Sequence, residues 1–213
     1  FSDEIVKDVL KSLLIPLWNA YSFFVTYANI DGYVPSSTPT SSLSNPLDKW
    51  IISDLEKLVK KATDAFDSYM IQDATEALLS FIDDLNNWYI RRSRRRFWRS
   101  ENDGDKKEAY DTLYRVLMTV VKVACPMVPF VTEAIYQNLK TASDPESVHL
   151  CLYPEYNEEE RDFKLEEEMN IIMKTIEMGR ALRASSNLKV RQPLKEFVVV
   201  SRNSAHRENL EKN

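Results

Sequence analysis

Apolar residues recur at steps of three and four along most of the chain, which is the spacing of helices that bury one face. Within residues 3–29, one such face carries Leu13, Leu17 and Tyr21, and further apolar residues lie beside it. This broad apolar stripe predicts a helix that is buried on more than one side. Pro16 lies inside the segment, and because proline removes a backbone hydrogen bond, we expect a kink or break there.

A second periodic segment follows residues 31–46, whose composition is that of a loop. Asn45 and Pro46 form a helix start, since proline is tolerated in the first turn. The predicted buried face carries Ile51, Leu55, Leu58, Ala62 and Phe66. The opposite face, expected to meet water, carries Asp54, Lys57, Lys60, Lys61 and Asp64.

The remaining elements are also mainly helical. A third helix is predicted from about Asp73 to the arginine-rich segment near residue 98. After a turn at 101–105, a fourth helix is stopped by Pro126, and Pro129 begins a short helix through Leu139. Residues 141–162 read as a loop, 163–184 as a long helix and 197–200 as a strand. The predicted fold class is therefore mostly α: a bundle of four or five helices, a linker, another long helix and a short terminal strand.

Composition argues against several kinds of site. With three glycines in 213 residues, the chain has no glycine-rich phosphate loop. Neither His149 nor His206 has a partner at metal-ligand spacing. Cys125 and Cys151 are predicted to be free thiols in a reducing compartment. No apolar run approaches the length of a membrane span. We therefore expect no metal, cofactor or membrane partner for this chain, and a cytoplasmic location.

Positive charge is concentrated in one segment. Six arginines fall between Arg91 and Arg99, although the chain carries a net charge of −5; without them the charge would be −5 − 6 = −11. Each residue of a helix advances by about 100°, so the six cannot share one face. Some are expected to meet internal carboxylates, and those nearest in sequence are Asp83, Asp84, Glu101 and Asp103.

Two interpretations of this segment stay open. In the first, it is a solvated, salt-bridged helix end whose cations suit the negative end of the helix dipole. In the second, it contacts nucleic acid, because guanidinium groups donate paired hydrogen bonds to phosphate and aromatic rings stack on unpaired bases. Trp88 and Tyr89 lie at core positions and are expected to be mostly structural, whereas Trp98 is kept as a candidate contact.

The arginine segment resembles that of a known family. Residues 87–92 (Asn-Trp-Tyr-Ile-Arg-Arg) and 94–98 (Arg-Arg-Arg-Phe-Trp) look like the helix-end signature of isoleucyl-tRNA synthetases. Valine-specific enzymes are similar in this segment but usually carry an acid after Tyr-Ile. Arg91 occupies that place here, which favours the isoleucine family.

Further runs extend the resemblance over nearly the whole chain. Residues 16–24 resemble the segment that follows the catalytic domain of that family, and residues 179–183 with 189–194 resemble the entry to its C-terminal region. Residues 48–51 and 126–133 are shared more widely among class I synthetases for branched aliphatic amino acids and methionine. The runs occur in the family's order.

The resemblance implies a helical-bundle anticodon-binding domain whose partner is the anticodon stem-loop of an isoleucine tRNA. The parent enzyme is expected to attach isoleucine to tRNA with ATP and Mg²⁺, and to hydrolyse mischarged products in a separate editing domain. The family's His-Ile-Gly-His and Lys-Met-Ser-Lys-Ser motifs are absent from these residues. The chain alone is therefore expected to be non-catalytic. A monomer is expected, joined to the catalytic and C-terminal domains of the same polypeptide.

Four parts are expected along the chain, which begins without Met and is interpreted as a fragment cut from a longer protein. Residues 1–30 would be a helix arriving from the catalytic domain, and 31–145 the core of the bundle. Residues 146–190 would be a linker and a long helix, and 191–213 the start of a C-terminal junction element.

The candidate tRNA-binding residues form two groups. The first consists of Arg91, Arg92, Arg94, Arg95, Arg96, Trp98 and Arg99, and the second of Lys189, Arg191 and Gln192. A glutamine offers both an acceptor and donors, as reading a base edge requires. Packing of a domain junction explains the second group equally well, because Pro193 and the predicted strand indicate a tight connection.

Two alternative functions stay open. The bundle could be a structural or protein-interaction module that braces the catalytic domain, in which case Arg91 to Arg99 should be largely buried in salt bridges. It could also be the same domain from a valine- or leucine-specific synthetase.

Overall fold

The computed structural model describes residues 3–35, 43–98, 103–201 and 210. The chain divides into two compact units, residues 1–161 and 162–213, and each is described by itself. The helices are α1 (Asp3–Val9), α2 (Ile15–Asp31), α3 (Pro46–Asp67), α4 (Ile71–Asp84), α5 (Arg91–Trp98), α6 (Gly104–Ala124), α7 (Pro129–Leu139) and α8 (Phe163–Ser185). This confirms the mostly α fold class.

Helix ends lie close to where the sequence predicts them. Asn45 caps α3 by accepting a hydrogen bond from the Leu47 amide at 2.9 Å, and Pro46 occupies the first turn. Asp103 caps α6 in the same way, through the Lys106 amide at 2.8 Å. Gly32 ends α2 in a left-handed conformation with φ of 63°, which glycine adopts without strain.

The first unit is a helical bundle. Helix α3 packs on α4 and α6, α2 packs on α6 and α4, and α7 packs on α6. Its largest buried side chains include Trp50, Phe81, Tyr89, Phe97 and Tyr136. Burial of aromatic residues on this scale is a major source of stability for the bundle.

Two short π-helical turns interrupt the helices. Residues Leu10–Leu14 form one, between α1 and α2, and Leu85–Ile90 form the other, between α4 and α5. A π turn holds more residues per turn than an α-helix, so it rotates everything that follows it about the helix axis. At Pro16, where a kink or break was predicted, α2 runs on directly from the first π turn.

Two predictions about exposure are wrong. The broad apolar stripe of the N-terminal helices is not buried on more than one side among the described residues: Leu17 and Phe24 are buried, whereas Val6 and Trp18 are about half exposed. Asp54 does not face water, since only 4% of it is exposed, and it accepts a hydrogen bond from Lys57 Nζ at 2.6 Å. A charged helix position can thus be buried when a neighbour pairs with it.

One helical stretch of the described residues, Val6–Asp31, is long and apolar enough by composition to cross a membrane. A single such helix is a weak indication, because core helices of soluble proteins meet the same criterion. Here α2 packs on α4 and α6 and buries Leu17, Ala20 and Phe24, while 28% of the apolar window is buried.

The second unit contains α8 and the chain that follows it. Residues 197–200 form no strand, which corrects the predicted terminal strand, and the structure contains no strand elsewhere in its described ranges. Instead, the Phe197 ring lies against Gly179 of α8, where an added Cβ would stand 3.1 Å from it. β-Branched residues favour a strand only when a neighbouring strand takes up their backbone hydrogen bonds.

Candidate nucleic-acid interface

The arginine segment is a short helix, α5, anchored by an aromatic residue. Phe97 is only 1% exposed. Its ring meets Phe23 of α2 edge-on at 5.1 Å between centroids, and Tyr110 of α6 at 4.9 Å. Ser93 is buried on the same side. The anchor fixes which side of α5 points to solvent.

Arg96 is the one described arginine of this segment that is buried, with 6% exposed. Its Nη1 and Nη2 atoms each donate to one oxygen of Asp48 at 2.7 Å. Tyr89 also donates to Asp48 Oδ1 at 2.7 Å, and Arg96 Nη2 lies 2.8 Å from Asp105 Oδ1. The planar fork of the guanidinium is therefore matched by a carboxylate in the core. This removes Arg96 from the surface that could touch an external anion.

Burial and pairing act against each other in this cluster. Burial raises the pKa of Asp48, while the hydrogen bond and charge of Arg96 pull it down. Desolvation opposes the charged form of Arg96, but the Asp48 carboxylate outweighs it and raises the pKa of Arg96 above its ordinary value. Arg96 therefore stays cationic and needs its carboxylate partner.

The carboxylates that meet Arg96 are not those expected from sequence distance. Asp83, Asp84 and Asp103 were predicted partners, and Glu101 lies outside the described residues. The observed partners are Asp48, in the first turn of α3, and Asp105, in the first turn of α6. Tertiary packing of three helix ends, rather than proximity along the chain, selects them.

The other described arginines are exposed. Arg91, Arg92, Arg94 and Arg95 face solvent, and within the described ranges none of them meets a carboxylate. Arg92 lies over the Trp88 ring, 5.6 Å from its centroid. Trp98 is 55% exposed on the same helix. These five side chains, Arg91, Arg92, Arg94, Arg95 and Trp98, are called the arginine face; Arg99 lies outside the described residues.

The arginine face weighs against the purely structural interpretation. That interpretation predicts that most arginines of the segment are sealed in salt bridges. Among the five arginines that the structure describes here, only Arg96 is. The expectation that Trp88 and Tyr89 belong to the core is confirmed, since both are buried.

A groove of about 650 Å³ borders the arginine face. Its walls come from the N-terminal helices and from the α4–α5 stretch, and include Lys11, Asn19, Asn86, Asn87, Arg91 and Arg94. Asn86 Nδ2 joins the walls by donating to the Pro16 carbonyl at 3.2 Å. Lys11 and Asn19 could not be predicted as groove residues, because the periodicity of one helix does not show which other helix lies beside it.

The second candidate group lies in the second unit. Lys189, Arg191 and Gln192 are exposed. Their backbone is held to α8, because Arg183 Nη1 donates to the carbonyls of Lys189 at 3.0 Å and Gln192 at 2.9 Å. The packing expected of a junction thus involves the backbone, and the three side chains stay accessible.

Glu108 holds the chain segment that leads into α3. Its carboxylate accepts hydrogen bonds from the Ser44 amide at 2.8 Å, the Ser44 hydroxyl at 2.6 Å and the Asn45 amide at 2.9 Å. Burial alone would raise the pKa of Glu108, but these hydrogen bonds outweigh it and lower the pKa. Glu108 therefore stabilises the start of α3, and with it the position of Asp48.

Glu108 should make stability depend on acid pH. Because its pKa is lower in the folded chain, its contribution is present above the unfolded value of about 4.3 and is lost as pH falls through the folded pKa. We expect Glu108→Gln to cost about 1 kcal/mol of unfolding free energy at neutral pH. Urea unfolding of both proteins across the acid range should show the difference shrinking below about pH 4; a constant difference would contradict the assignment.

Comparison with known proteins supports a nucleic-acid interface, as the geometry does. A family model for the anticodon-binding domain of tRNA ligase matches residues 48–198, which is well over half of the chain. This stretch contains the arginine face, the Asp48–Arg96 pair and the second candidate group.

Several curated relatives are similar over almost all of this chain. An isoleucine–tRNA ligase of Treponema denticola is 54% identical over 95% of it, one of Treponema pallidum (strain Nichols) 50% over 97%, and one of Clostridium acetobutylicum 47% over 93%. The chain spans about a fifth of the length of each of these relatives. With a matched domain, a helical bundle and an exposed cluster of guanidinium groups, the chain belongs to the family of anticodon-binding domains of tRNA ligases.

Proposed function

We propose that the chain recognises the anticodon stem-loop of an isoleucine tRNA, with the arginine face as the main contact. The observation that carries this proposal is the set of four exposed arginines, without carboxylate partners in the described ranges, on a chain of net charge −5. Guanidinium groups left unpaired at a surface are suited to phosphate. The names of the relatives support isoleucine as the amino acid.

Trp98 adds an apolar element to this surface. Recognition of RNA loops depends on bases that have left the stack and lie on aromatic rings or guanidinium planes. An exposed indole beside four arginines offers such a platform, and one stacked base contributes about 1–3 kcal/mol. The exposed Arg92 guanidinium lies 5.6 Å from the centroid of the Trp88 ring and offers a further cationic group to a base.

The proposal places the chain in a larger enzyme. That enzyme is an isoleucine–tRNA ligase of the cytoplasm, a monomer that uses ATP with Mg²⁺ bound outside these residues and edits mischarged tRNA in another domain. Lys189, Arg191 and Gln192 are proposed as a second tRNA contact in the unit that leads to the C-terminal region. The chain itself contributes binding and orientation of the tRNA, and no catalytic group.

The test is binding of a hairpin RNA that carries the isoleucine anticodon loop and its stem. Replacing Arg91, Arg92, Arg94 and Arg95 together by glutamine should weaken binding by at least about tenfold. It should also lower the slope of log affinity against log salt by about 2–3, since each phosphate contact to a single strand contributes about 0.7. Fluorescence anisotropy at several salt concentrations measures both quantities, and circular dichroism checks the fold.

A matched control has the same net charge. Replacing Lys60, Lys61, Lys107 and Lys174 by glutamine removes four exposed cations elsewhere, so both variants carry −5 − 4 = −9. The control should bind the hairpin nearly as well as the original chain. Equal losses in both variants would mean that only overall charge matters, and an unchanged slope in the arginine variant would remove the arginine face from the interface.

A further inference from the structure

The groove beside the arginine face is positively charged. Of the described residues, Lys11, Arg91 and Arg94 line it together with one acid, Asp83, which gives 3 − 1 = +2. Asp83 is itself engaged, accepting a hydrogen bond from Asn87 Nδ2 at 2.6 Å. A chain that is negative overall thus lines this groove with an excess of cations.

Several polar groups of the groove have no partner among the described residues. In the part of the chain that the structure describes, the side chains of Lys11, Asn19, Arg91 and Arg94 form no hydrogen bond or ion pair. Asn19 and Asn87 are exposed at the groove, although Asn87 Nδ2 also donates to Asp83, and Asn86 joins the groove walls. The groove therefore combines three unpaired cations with carboxamides that present both donors and acceptors.

From this combination we infer that the groove holds one unstacked nucleotide of the RNA loop. Its phosphate lies on Arg91, Arg94 and Lys11, and its base edge lies against the carboxamides of Asn19 and Asn87. The inference rests on the proposed function and adds residues of the N-terminal helices, Lys11 and Asn19, to the RNA interface. A base edge has donors and acceptors that a carboxamide matches in pairs, whereas a phosphate alone would need only the cations.

The two sides of α5 then have different tasks. Arg91 and Arg94 line the groove, while Arg92 and Arg95 do not. Arg91 and Arg94 act together with a base-reading amide, so their contribution to affinity should depend on one particular nucleotide. Arg92 and Arg95 bind the backbone of neighbouring nucleotides, so their contribution to affinity should be the same for every loop sequence.

The experiment combines a protein variant with a series of altered hairpins. Each base of the anticodon loop is replaced in turn by an abasic site, and binding to the original chain and to Asn19→Ala is measured. For the original chain, one abasic position should weaken binding by about tenfold, in line with the loss of a hydrogen-bonded base. Asn19→Ala should bind the intact hairpin about tenfold more weakly than the original chain does. An abasic site at that same position should then lower the affinity of Asn19→Ala only slightly further.

Two controls make the outcome specific. Asn138→Ala, an exposed carboxamide on α7 outside the groove, should leave every affinity unchanged. The paired variant Arg92→Gln with Arg95→Gln should weaken binding to the intact and abasic hairpins by the same factor. Thermal melting confirms that each variant folds.

The possible failures are distinguishable. If the original chain binds the intact hairpin no better than an unrelated RNA duplex at low salt, the proposed function itself is refuted. If the original chain binds the hairpin, but each abasic position lowers the affinity of Asn19→Ala as much as that of the original chain, the nucleotide site is refuted. The proposed function is not contradicted by that result. A salt slope unchanged by Lys11→Gln with Arg91→Gln and Arg94→Gln would also overturn the site.

Discussion

Replacing Asp48 by alanine is expected to destabilise the bundle by about 3–5 kcal/mol, because it leaves the buried guanidinium of Arg96 without its bidentate partner. Tyr89 loses its hydrogen-bond acceptor in the same step. Asp105 remains near Arg96 but is only partly buried and meets one nitrogen of the fork. Urea unfolding followed by circular dichroism measures the loss.

Two further variants separate the causes. Asp64→Ala removes the acid of an exposed ion pair with Lys60, and it should cost less than about 1 kcal/mol. Replacing Asp48 and Arg96 together by leucine removes both charges and should recover much of the stability lost in Asp48→Ala. If Asp48→Ala costs no more than Asp64→Ala, the buried pair does not hold α5 in place.

Truncating Phe97 to alanine is expected to cost about 3–5 kcal/mol, the usual loss for a buried phenylalanine that leaves a cavity. Its ring is the contact that fixes α5 between Phe23 of α2 and Tyr110 of α6. The variant keeps every cation of the arginine face, yet RNA binding should weaken because α5 is no longer held in one orientation. Unfolding by urea and hairpin binding at a temperature where the variant is folded give the two readouts.

The control for Phe97 is another phenylalanine that is not buried. Phe130 is 89% exposed on α7, and Phe130→Ala should change the free energy of unfolding by less than about 0.5 kcal/mol. Phe97→Leu, which keeps part of the apolar volume, should lie between the two. Equal stability of Phe97→Ala and Phe130→Ala would show that α5 is positioned by the Asp48–Arg96 pair alone.

Local signals in the sequence predicted the helices well. Asn45 with Pro46 marked the start of α3, and Pro126 with Pro129 marked the break between α6 and α7. Such signals act within a few residues, so they need no knowledge of the tertiary fold. The strand at residues 197–200 failed for the complementary reason: its side chains favour extended backbone, but a strand also requires a distant partner.

Helical periodicity could not predict which arginines are buried and which are exposed. Arg92 follows Ala74 by 18 residues, which is five α turns, so an unbroken helix would turn Arg92 towards the side on which Ala74 is buried. The structure buries Ser93 instead and exposes Arg92. The offset of one residue matches the extra residue that the π turn Leu85–Ile90 takes up. Nothing in the pattern of apolar residues marks that turn.

The partner of Arg96 was equally hidden. Asp48 lies 48 residues away along the chain and occupies an ordinary place for an acid, the first turn of a helix. Only the packing of α3 against the α4–α5 stretch brings the two together. Ion pairs that join distant helices depend on how those helices pack, which cannot be predicted from the pattern of a single sequence.

The π turn before α5 has a consequence for how such domains diverge. Losing one residue between Leu85 and Ile90 would restore α-helical winding and bring different guanidinium groups to the surface, with no arginine substituted. RNA preference among descendants of one ancestral gene can therefore shift through a single-codon insertion or deletion within this turn. Alignments that place a gap there without regard to winding would equate side chains that point in different directions.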